Sequence, residues 1–325
     1  MKIVITTGLS GTDIGGPFQY AHNLEQEFQK LGHEVRVVSY GSVERSLPPW
    51  IRHLYFLFRI FRNFIWAEKV LTLDTYSVGV PSALVSKILR RQIVARVGGD
   101  FLWSAYINRT SEPLTLPNFY RSLPKLNLKE RLIFFFMKWF FIKIVDFLAF
   151  NTEWQRNIWQ RFYGIKEFRS GVVRNLIPQK RKEAKPDSKN FIWAGRLITE
   201  KNPSMLKKFN VDIITGESHE KVLEKLRSSY VAVSFALTDI CPNFIIEAVS
   251  FGKPFIMTKE TGLNEIYPHG GIFVNPLNDV AIEEAIQAMR DENTYNKCVR
   301  ELKSLNLSHS WREMAQEYLD IWNRV

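Results

Sequence analysis

The order of apolar runs at the start of the chain most constrains its fold. Residues 2–7, KIVITT, have the pattern of a short buried strand, and a glycine-containing loop follows them. Residues 21–32 then carry apolar side chains at helical spacing, and residues 34–39, EVRVVS, have a second strand pattern. Strand, loop, helix and strand form a βαβ unit, which requires a parallel sheet.

The same alternation continues through two halves of the chain. Further strand patterns are KVLTL, IVARV, DFLAFN and GVVRN in the first half, and FIWAGRL, DIITG, VAVSF, KPFIMT and GIFVN in the second. A stretch rich in Lys, Pro and Ser, LIPQKRKEAKPDSKN, separates them like a linker. Because 325 residues exceed the usual size of one domain, we expect an α/β fold. It would have two Rossmann-like doubly wound domains, residues 1–175 and 176–308, facing a cleft.

Charge is distributed unequally between these halves. The whole chain carries a net charge of +11, and lysines and arginines exceed acidic residues by 11 within residues 1–175 alone. Such a field attracts an anionic partner, which could be a lipid surface, a nucleic acid or a phosphorylated substrate. The two cysteines, Cys241 and Cys298, lack metal-ligand spacing, and no cleavable signal precedes the first strand. We therefore expect a cytoplasmic protein without a metal site.

Two glycines precede the first helix. Backbone amides and the positive helix end can approach a phosphate beside Gly15 and Gly16, because no Cβ intrudes there. A tight turn without a ligand would explain the same glycines. The GxGxxG spacing is absent, which disfavours a dinucleotide-binding dehydrogenase.

The stretch AGRLITEKNP follows a predicted strand and contains two cations, Arg196 and Lys201. Ligands of open α/β sheets bind at the carboxyl ends of the strands, so both side chains would face the ligand crevice. The planar arginine fork and the lysine point charge together suit a diphosphate. A solvated pair at a helix start is the alternative.

The stretch TDICPNFIIEAVSF places two carboxylates, Asp239 and Glu247, around a Cys-Pro-Asn turn. A helix is predicted to begin near Asn243, with free backbone amides at Asn243 and Phe244. Carboxylates and amides together can bind several sugar hydroxyls, because ionised carboxylates accept strong hydrogen bonds. Ordinary capping of the helix would use the same acidic residues.

Taken in order, these motifs resemble glycosyltransferase family 4. The resemblance rests on the Gly-Gly loop, GRLITEKN, the acidic pair running into EAVSFGKPFI, ETGLNEI and a final helix that begins at SW, and it covers nearly the whole chain. It implies a GT-B fold and a retaining, metal-independent transfer of a sugar from a nucleoside diphosphate sugar. It also implies that the last helix, residues 309–325, crosses back to the first domain rather than covering its own.

The resemblance also implies roles for residues. Arg196 and Lys201 would bind the diphosphate and Glu247 the ribose hydroxyls. Asp239 would bind the donor sugar, together with the amides of Asn243 and Phe244. Gly16 would approach the donor from the other domain.

The sequence departs from the family pattern at three places. Asp239 stands where many members have glutamate, and Asp100 stands where many have a histidine near the reacting sugar. Asp100 could orient a sugar hydroxyl or accept the acceptor's proton, or it could only cap the following segment. Residues 202–234 are also short for the family, which leaves the donor base open.

Two basic aromatic segments are unusual, at residues 50–66 and 131–147. Charges interrupt both, so neither is expected to span a bilayer. In the first, Arg52, Arg59 and Arg62 would share a helical stripe and meet lipid phosphates while aromatic residues enter the acyl boundary. A helix buried on the sheet is the alternative. Membrane binding would imply a lipid-linked or glycan acceptor at the inner face of the membrane.

Other functions fit parts of the same pattern. A nucleotide-sugar epimerase of the same fold would need no acceptor, and a phosphorylase of the glycogen type would need a cofactor lysine that we do not find. A non-catalytic module that binds membranes or nucleic acid would explain the charge. No nucleic-acid motif is present, and the aromatic residues cluster in helix-like runs, so we expect no nucleic-acid partner.

Overall fold

The computed structural model describes residues 1–8 and 16–325. The chain forms two compact units. Unit 1 consists of Met1–Leu102, Lys125–Arg174 and Trp311–Val325, and unit 2 consists of Trp103–Pro124 and Asn175–Ser310. Each unit is built on its own parallel sheet.

Unit 1 contains a six-stranded sheet in the order β2-β1-β3-β4-β5-β6. Its strands are β1 (Lys2–Thr7), β2 (Glu34–Ser39), β3 (Lys69–Thr72), β4 (Gln92–Val97), β5 (Phe147–Phe150) and β6 (Ser170–Val172). The helices between these strands in sequence are α1 (Gly16–Lys30), α2 (Ser42–Ser46), α3 (Pro49–Trp66), α4 (Gly79–Leu89), α5 (Phe101–Thr110), α6 (Leu116–Ser122), α7 (Leu128–Phe135), a π-helix (Phe136–Phe141), α8 (Ile142–Ile144) and α9 (Glu153–Tyr163), of which α6 and most of α5 belong to unit 2. All strand pairs are parallel, so each strand is followed by a crossover.

Helices cover both faces of this sheet, which explains why its central strands β1, β3 and β4 are almost entirely buried. Ile3 and Ile5 of β1 point to a core shared with α1 and with α15 (Trp311–Arg324). On the other side Thr6 hydrogen-bonds to Ser82 of α4, Oγ1 to Oγ at 3.0 Å. Both α3 and the π-helix pack against α4.

The last helix completes the core of unit 1. The hydroxyl groups of Tyr20 in α1 and Tyr318 in α15 are hydrogen-bonded at 2.9 Å in a fully buried position. Burial raises the pKa of both phenols. Trp322 is 1% exposed and packs against Phe28 and Tyr318. The heavy apolar face of α15 therefore lies on residues near the start of the chain.

Unit 2 contains a five-stranded parallel sheet in the order β11-β10-β9-β7-β8. Its strands are β7 (Phe191–Ala194), β8 (Asp212–Ile214), β9 (Val231–Ser234), β10 (Phe255–Thr258) and β11 (Gly271–Val274). Its helices after the linker are α10 (Pro203–Lys208), α11 (His219–Ser228), α12 (Asn243–Ser250), α13 (Asp279–Arg290) and α14 (Glu292–Ser304). Because β8 and β9 lie on opposite sides of β7, the strand order reverses between β7 and β9. This is a topological switch point, where open α/β sheets bind ligands.

A segment from the first half of the sequence belongs to unit 2. Residues Trp103–Pro124 hold most of α5 and all of α6. The backbone amide of Leu116, at the start of α6, donates to Thr238 Oγ1 at 2.9 Å in a buried position. The Asn108 side-chain amide donates to Glu200 Oε1 at 3.3 Å. No pattern in the sequence predicts these contacts.

The strands and the helix expected from the apolar patterns are present. The parallel sheets confirm the α/β prediction, and α12 begins at Asn243 with Pro242 at its N-cap, as the motif predicted. The linker predicted between the halves has no helix or strand between β6 and β7.

We predict that Trp322→Ala destabilises unit 1 by about 3–5 kcal/mol, because it empties a large buried site between α1 and α15. Urea unfolding followed by circular dichroism would measure the change. Trp139→Ala is the matched control, since Trp139 is 51% exposed. A similar loss of stability in both variants would contradict the role given to Trp322.

Candidate functional site

The candidate site lies in unit 2, at the carboxyl ends of β7 and β9. Arg196 follows β7, and Asp239 follows β9 across the switch point. The short strands end in turns, so the next residues leave the sheet at the same edge. Side chains that lie far apart in sequence are therefore placed on neighbouring loops.

The loop after β7 is fixed by one asparagine. Residues Thr199–Lys201 form a single 3-10 turn, and Asn202 ends it with φ 51°, in the left-handed region that asparagine tolerates better than most residues. The Asn202 side-chain amide donates to the backbone carbonyls of Phe235, at 3.1 Å, and Pro276, at 3.3 Å. This residue therefore ties the loop carrying Lys201 to the chain leaving β9.

Lys201 and Asp239 form the central ion pair of the site. Lys201 Nζ lies 2.8 Å from Asp239 Oδ1, and Ser234 Oγ donates to Asp239 Oδ2 at 2.9 Å. The Asp239 backbone amide donates to the carbonyl of Glu260 at 3.1 Å, which fixes the loop. Asp239 is 9% exposed. Charge-assisted bonds to both carboxylate oxygens hold the side chain in one orientation.

Arg196 lies on the same loop as Lys201, and its side chain is exposed. Its guanidinium has no hydrogen-bond or ion-pair partner within the described part of the chain, while its carbonyl accepts from the Ile198 amide at 2.9 Å. An exposed cation without an internal acceptor keeps all its donors for a ligand.

The N-terminus of α12 presents free backbone donors. In the residues that the structure describes, no acceptor contacts the amides of Asn243 and Phe244, whereas the amides of Ile245 and Ile246 donate to Pro242. The first amides of a helix have no intrahelical acceptor. The Asn243 side chain accepts a hydrogen bond from Asn175 at 3.2 Å, which leaves its backbone amide available.

Glu247 is held by a histidine. His219 Nε2 lies 2.7 Å from Glu247 Oε1 and joins the first turn of α11 to α12. The hydrogen bond to Glu247 raises the pKa of His219 above its usual value of 6.5. Burial and the charge of Arg181 oppose this shift, while the charge of Glu220 adds to it. Protonated His219 and the ribose hydroxyls expected at Glu247 would therefore compete for one carboxylate.

The predicted site residues have different hydrogen-bond and ion-pair partners in the structure. Lys201 and Asp239 are joined directly, whereas Glu247 has a separate partner in His219. Asp100 belongs to unit 1, is 3% exposed and accepts from the indole Nε1 of Trp159 at 2.9 Å.

The predicted glycine loop is only partly described. Gly15 lies outside the described residues, and Gly16 is the first residue of α1.

The motifs predict no separate role for three residues that position the site. Ser234 ends strand β9, His219 lies in the first turn of α11, and Asn202 lies between the 3-10 turn and α10. A polar residue at the carboxyl end of a strand is the signal that could have suggested a role for Ser234. For His219, the signal is a histidine directly after the N-cap of a helix.

The predicted membrane arginines of α3 differ in exposure. Arg52 Nε donates to the carbonyl of Glu44 at 2.6 Å, and Arg59 Nε forms an ion pair with the Glu44 carboxylate at 2.9 Å. Glu44 is 1% exposed. Arg62 is exposed. The two inner arginines therefore connect α3 to α2, and their lipid contacts stay a prediction.

Chemically, this edge of unit 2 offers two cations, two carboxylates and free amides. The cations and amides can neutralise a diphosphate, and the carboxylates can accept from hydroxyl groups. Within residues 1–8 and 16–325, no group of three or more His, Cys, Asp or Glu residues has the arrangement of a metal site.

No protein-family model matches the sequence, and neither does any curated protein. Solved structures are similar over the whole chain. Anabaena HepE, solved in complex with UDP and glucose, is 12% identical with a TM-score of 0.67, and the alignment covers 100% of both chains. Sucrose-phosphate synthase from Thermosynechococcus elongatus is 12% identical with a TM-score of 0.71, covering 99% of this chain and 98% of that one.

These similarities extend through both parallel sheets. The chain has the GT-B fold. WaaG, a glycosyltransferase involved in lipopolysaccharide biosynthesis, is a further GT-B neighbour, 12% identical with a TM-score of 0.67, and the alignment covers 98% of this chain and 99% of that chain. At this identity the likeness establishes the two-sheet GT-B architecture.

We predict that the His219–Glu247 pair stabilises the protein in acid more than in base. The folded pKa of His219 is raised, so the folded state binds the proton more tightly than the unfolded state. The extra stability is fully present below about pH 6 and is lost as the pH rises through the folded pKa. His219→Gln should therefore lower the thermal midpoint more at about pH 5.5 than at about pH 9.

His269→Gln serves as the control, because His269 is exposed and has no hydrogen-bond partner among the described residues. In a Glu247→Gln background the pH-dependent effect of His219→Gln should disappear. An equal effect of His219→Gln at both pH values would exclude this ion pair as its cause.

Proposed function

We propose that this chain is a retaining glycosyltransferase of the family 4 type. It transfers a sugar from a nucleoside diphosphate sugar to a glycan or a lipid-linked acceptor. The observation that carries the proposal is the Lys201–Asp239 ion pair at the switch point of the second sheet of a GT-B fold, on the loop that also carries the exposed Arg196. UDP in the Anabaena HepE structure, a neighbour with the same fold, supports a nucleoside diphosphate as the leaving group.

The side chains of this site match the groups of such a donor. Arg196 and Lys201 would bind the diphosphate, as a fork and a point charge. Glu247 would accept from the ribose hydroxyls. Asp239 would accept from a hydroxyl of the sugar, and the amides of Asn243 and Phe244 would add donors near it.

The Lys201–Asp239 contact matters for binding as well as for position. The Asp239 carboxylate holds the Lys201 ammonium group at 2.8 Å. A bound diphosphate would give the ammonium group a second anionic partner. A sugar hydroxyl would then replace the ammonium group on the Asp239 carboxylate. Binding then exchanges one set of charge-assisted hydrogen bonds for another, which limits the desolvation cost of the two charges.

In the proposed reaction the bond between the anomeric carbon and the β-phosphate oxygen breaks as the acceptor oxygen forms the new bond on the same face. The acceptor proton passes to the departing phosphate oxygen. Negative charge builds on the nucleoside diphosphate, where Arg196 and Lys201 stabilise it. A preorganised donor of this kind is worth about 3 kcal/mol in the transition state.

Other functions are less favoured by the same residues. An epimerase of this fold would use a similar donor site but would release no nucleoside diphosphate to an acceptor. A non-catalytic membrane or nucleic-acid module would not need the paired cations and carboxylates of unit 2. The glycogen-type phosphorylase would require a cofactor lysine, which the motifs do not provide.

We place the reaction in the cytoplasm and propose that it proceeds without a metal ion. Cys241 and Cys298 form no disulfide within the described part of the chain, in keeping with a reducing compartment. None of the helices in the described part of the chain has the length and apolar character needed to cross a membrane.

Because the proposed reaction uses no metal ion, a chelator should leave turnover unchanged, and added Mg²⁺ should not be needed.

The direct test is a donor screen by thermal shift with UDP, GDP and ADP, followed by assays with the corresponding sugars. Release of the nucleoside diphosphate only when an acceptor is present would support a transferase. Isomerised donor without acceptor would identify an epimerase. Stabilisation by DNA or RNA, with no response to any nucleotide, would overturn the proposal. The anomeric configuration of the product, read by NMR, tests retention.

We predict that Lys201→Met lowers kcat by about 10²–10³-fold, because one cation is lost from the charge that develops on the leaving group. Lys208→Met is the matched control, since Lys208 also pairs with an aspartate, Asp279, but lies on α10 away from the switch point. Glu247→Ala should mainly raise the KM for the donor. Near-normal turnover in Lys201→Met would remove this residue from the site.

Asp100 stays a prediction as a catalytic residue. If its charge orients a hydroxyl or accepts a proton, Asp100→Asn should lower kcat by at least about 10²-fold, because the amide keeps an acceptor for Trp159 but loses the charge. Trp159→Phe removes the indole donor alone and serves as the comparison. Full activity of folded Asp100→Asn would assign the residue only a structural bond to Trp159.

A further inference from the structure

An exposed apolar stripe runs along α7 and the π-helix of unit 1. Leu128, Leu132, Phe135 and Trp139 follow one another at i, i+4, i+7 and i+11, and they are 75%, 47%, 45% and 51% exposed. This spacing places them on one side of a helix. Side chains with the same spacing normally face a core, so a helix that turns them to solvent has an unpartnered face.

Cations surround this stripe almost without acidic residues. Between Lys125 and Val145 the sequence has five lysines and arginines and a single carboxylate, Glu130. Glu130 is 1% exposed and is used in the capping box of α7, where it accepts from the Asn127 amide at 2.8 Å. The solvent-facing charge of this segment is therefore positive throughout.

The cations and the largest aromatic side chain are in contact. The ammonium groups of Lys143 and Lys138 lie 4.4 Å and 5.6 Å from the centre of the Trp139 ring. Lys129 and Arg131 are exposed on the first turns of α7. Aliphatic side chains, an indole and ammonium groups on one face correspond to the acyl boundary, the interface and the headgroups of a bilayer.

The π-helix contributes to this arrangement. Six consecutive residues, Phe136–Phe141, depart from α-helical spacing, and Met137 and Phe141 of this turn are buried. Two further residues of this turn, Trp139 and Phe140, are 51% and 36% exposed and extend the apolar surface.

The same helical layer includes α3, where we first expected the membrane contact. Both α3 and the π-helix pack against α4. Of the three arginines predicted there, only Arg62 is exposed, while Arg52 and Arg59 bind the α2 region. Phe58 and Ile65 of α3 are 68% and 54% exposed, so α3 adds apolar surface to the layer but little free charge.

We propose that the α7 and π-helix stripe binds the surface of an anionic phospholipid bilayer. Leu128, Leu132, Phe135 and Trp139 insert, and Lys129, Arg131, Lys138 and Lys143 contact lipid phosphates. Charge decides the occupant, because all of the +11 excess lies within residues 1–175. A second copy of this chain would bring its own cations to the same face and be repelled. The proposal does not depend on the transferase activity.

The test is flotation of the full chain with phosphatidylcholine vesicles, with and without phosphatidylglycerol. We expect binding only to the anionic vesicles, weakening as salt is added. Each cation near an anionic surface strengthens binding about fivefold, so Lys129→Glu with Arg131→Glu should lower partitioning at least about 30-fold. Phe135→Gln with Trp139→Gln should remove the binding that persists at high salt, and Trp139→Phe should largely keep it.

Matched controls come from unit 2. Lys182→Glu with Lys185→Glu changes the net charge equally at two exposed lysines, and Leu277→Gln with Val280→Gln removes two exposed apolar side chains. Both controls should bind like the unchanged protein. Circular dichroism and nucleotide-induced thermal shift report whether each variant is folded, independently of vesicle binding.

Three results would overturn the proposal. The unchanged protein could fail to float with anionic vesicles, or the stripe variants could bind as well as the controls. The third is a concentration-dependent dimer that the stripe variants abolish without any vesicle binding, which would identify a second copy as the partner. Loss of nucleotide binding with intact flotation would instead count against the proposed transferase alone.

Discussion

The ion pair between Lys201 and Asp239 is the central contact of the candidate site, and it depends on the reversal of strand order between β7 and β9. The reversal opens a gap at the carboxyl edge of the sheet. Asn202 and the backbone of Asp239 fix the two loops that border it. Lys201 and the largely buried Asp239 are held 2.8 Å apart mainly by this fixed geometry. The proposed nucleoside diphosphate sugar would require a cation and a hydroxyl acceptor in these positions.

Local patterns in the sequence predicted the sheets, because a buried parallel strand is mostly apolar. Three of the four residues of the buried strand Val231–Ser234 are apolar, and Pro242 directly before α12 marks a helix start because proline does not continue a preceding helix. Contacts between distant segments could not be predicted in this way. The pairing of His219 with Glu247 depends on the packing of α11 against α12, and the hydrogen bond from Leu116 to Thr238 joins residues 122 positions apart. No periodicity in a single sequence records either contact.

Composition predicted that unit 1 is basic, but it did not predict which of its cations are exposed. The arginines of α3 share a helical pattern with aromatic residues, but a buried carboxylate, Glu44, binds Arg59 and the backbone around it binds Arg52. Exposed cations lie instead around the π-helix, and no pattern in the sequence distinguishes this π-helix from an α-helix. A charge count therefore locates a surface to within a domain, and only the side-chain contacts identify its residues.

The position of α15 has a consequence for biosynthesis. Its tyrosine and tryptophan complete the core of unit 1, yet the ribosome makes this helix only after every residue of unit 2. Domains usually fold in the order in which they emerge. Here the earlier half of the chain must wait with part of its apolar core uncovered while the later half is translated and folds. Premature termination just before Trp311 would leave unit 2 with its full sequence and unit 1 exposed to chaperones and proteases.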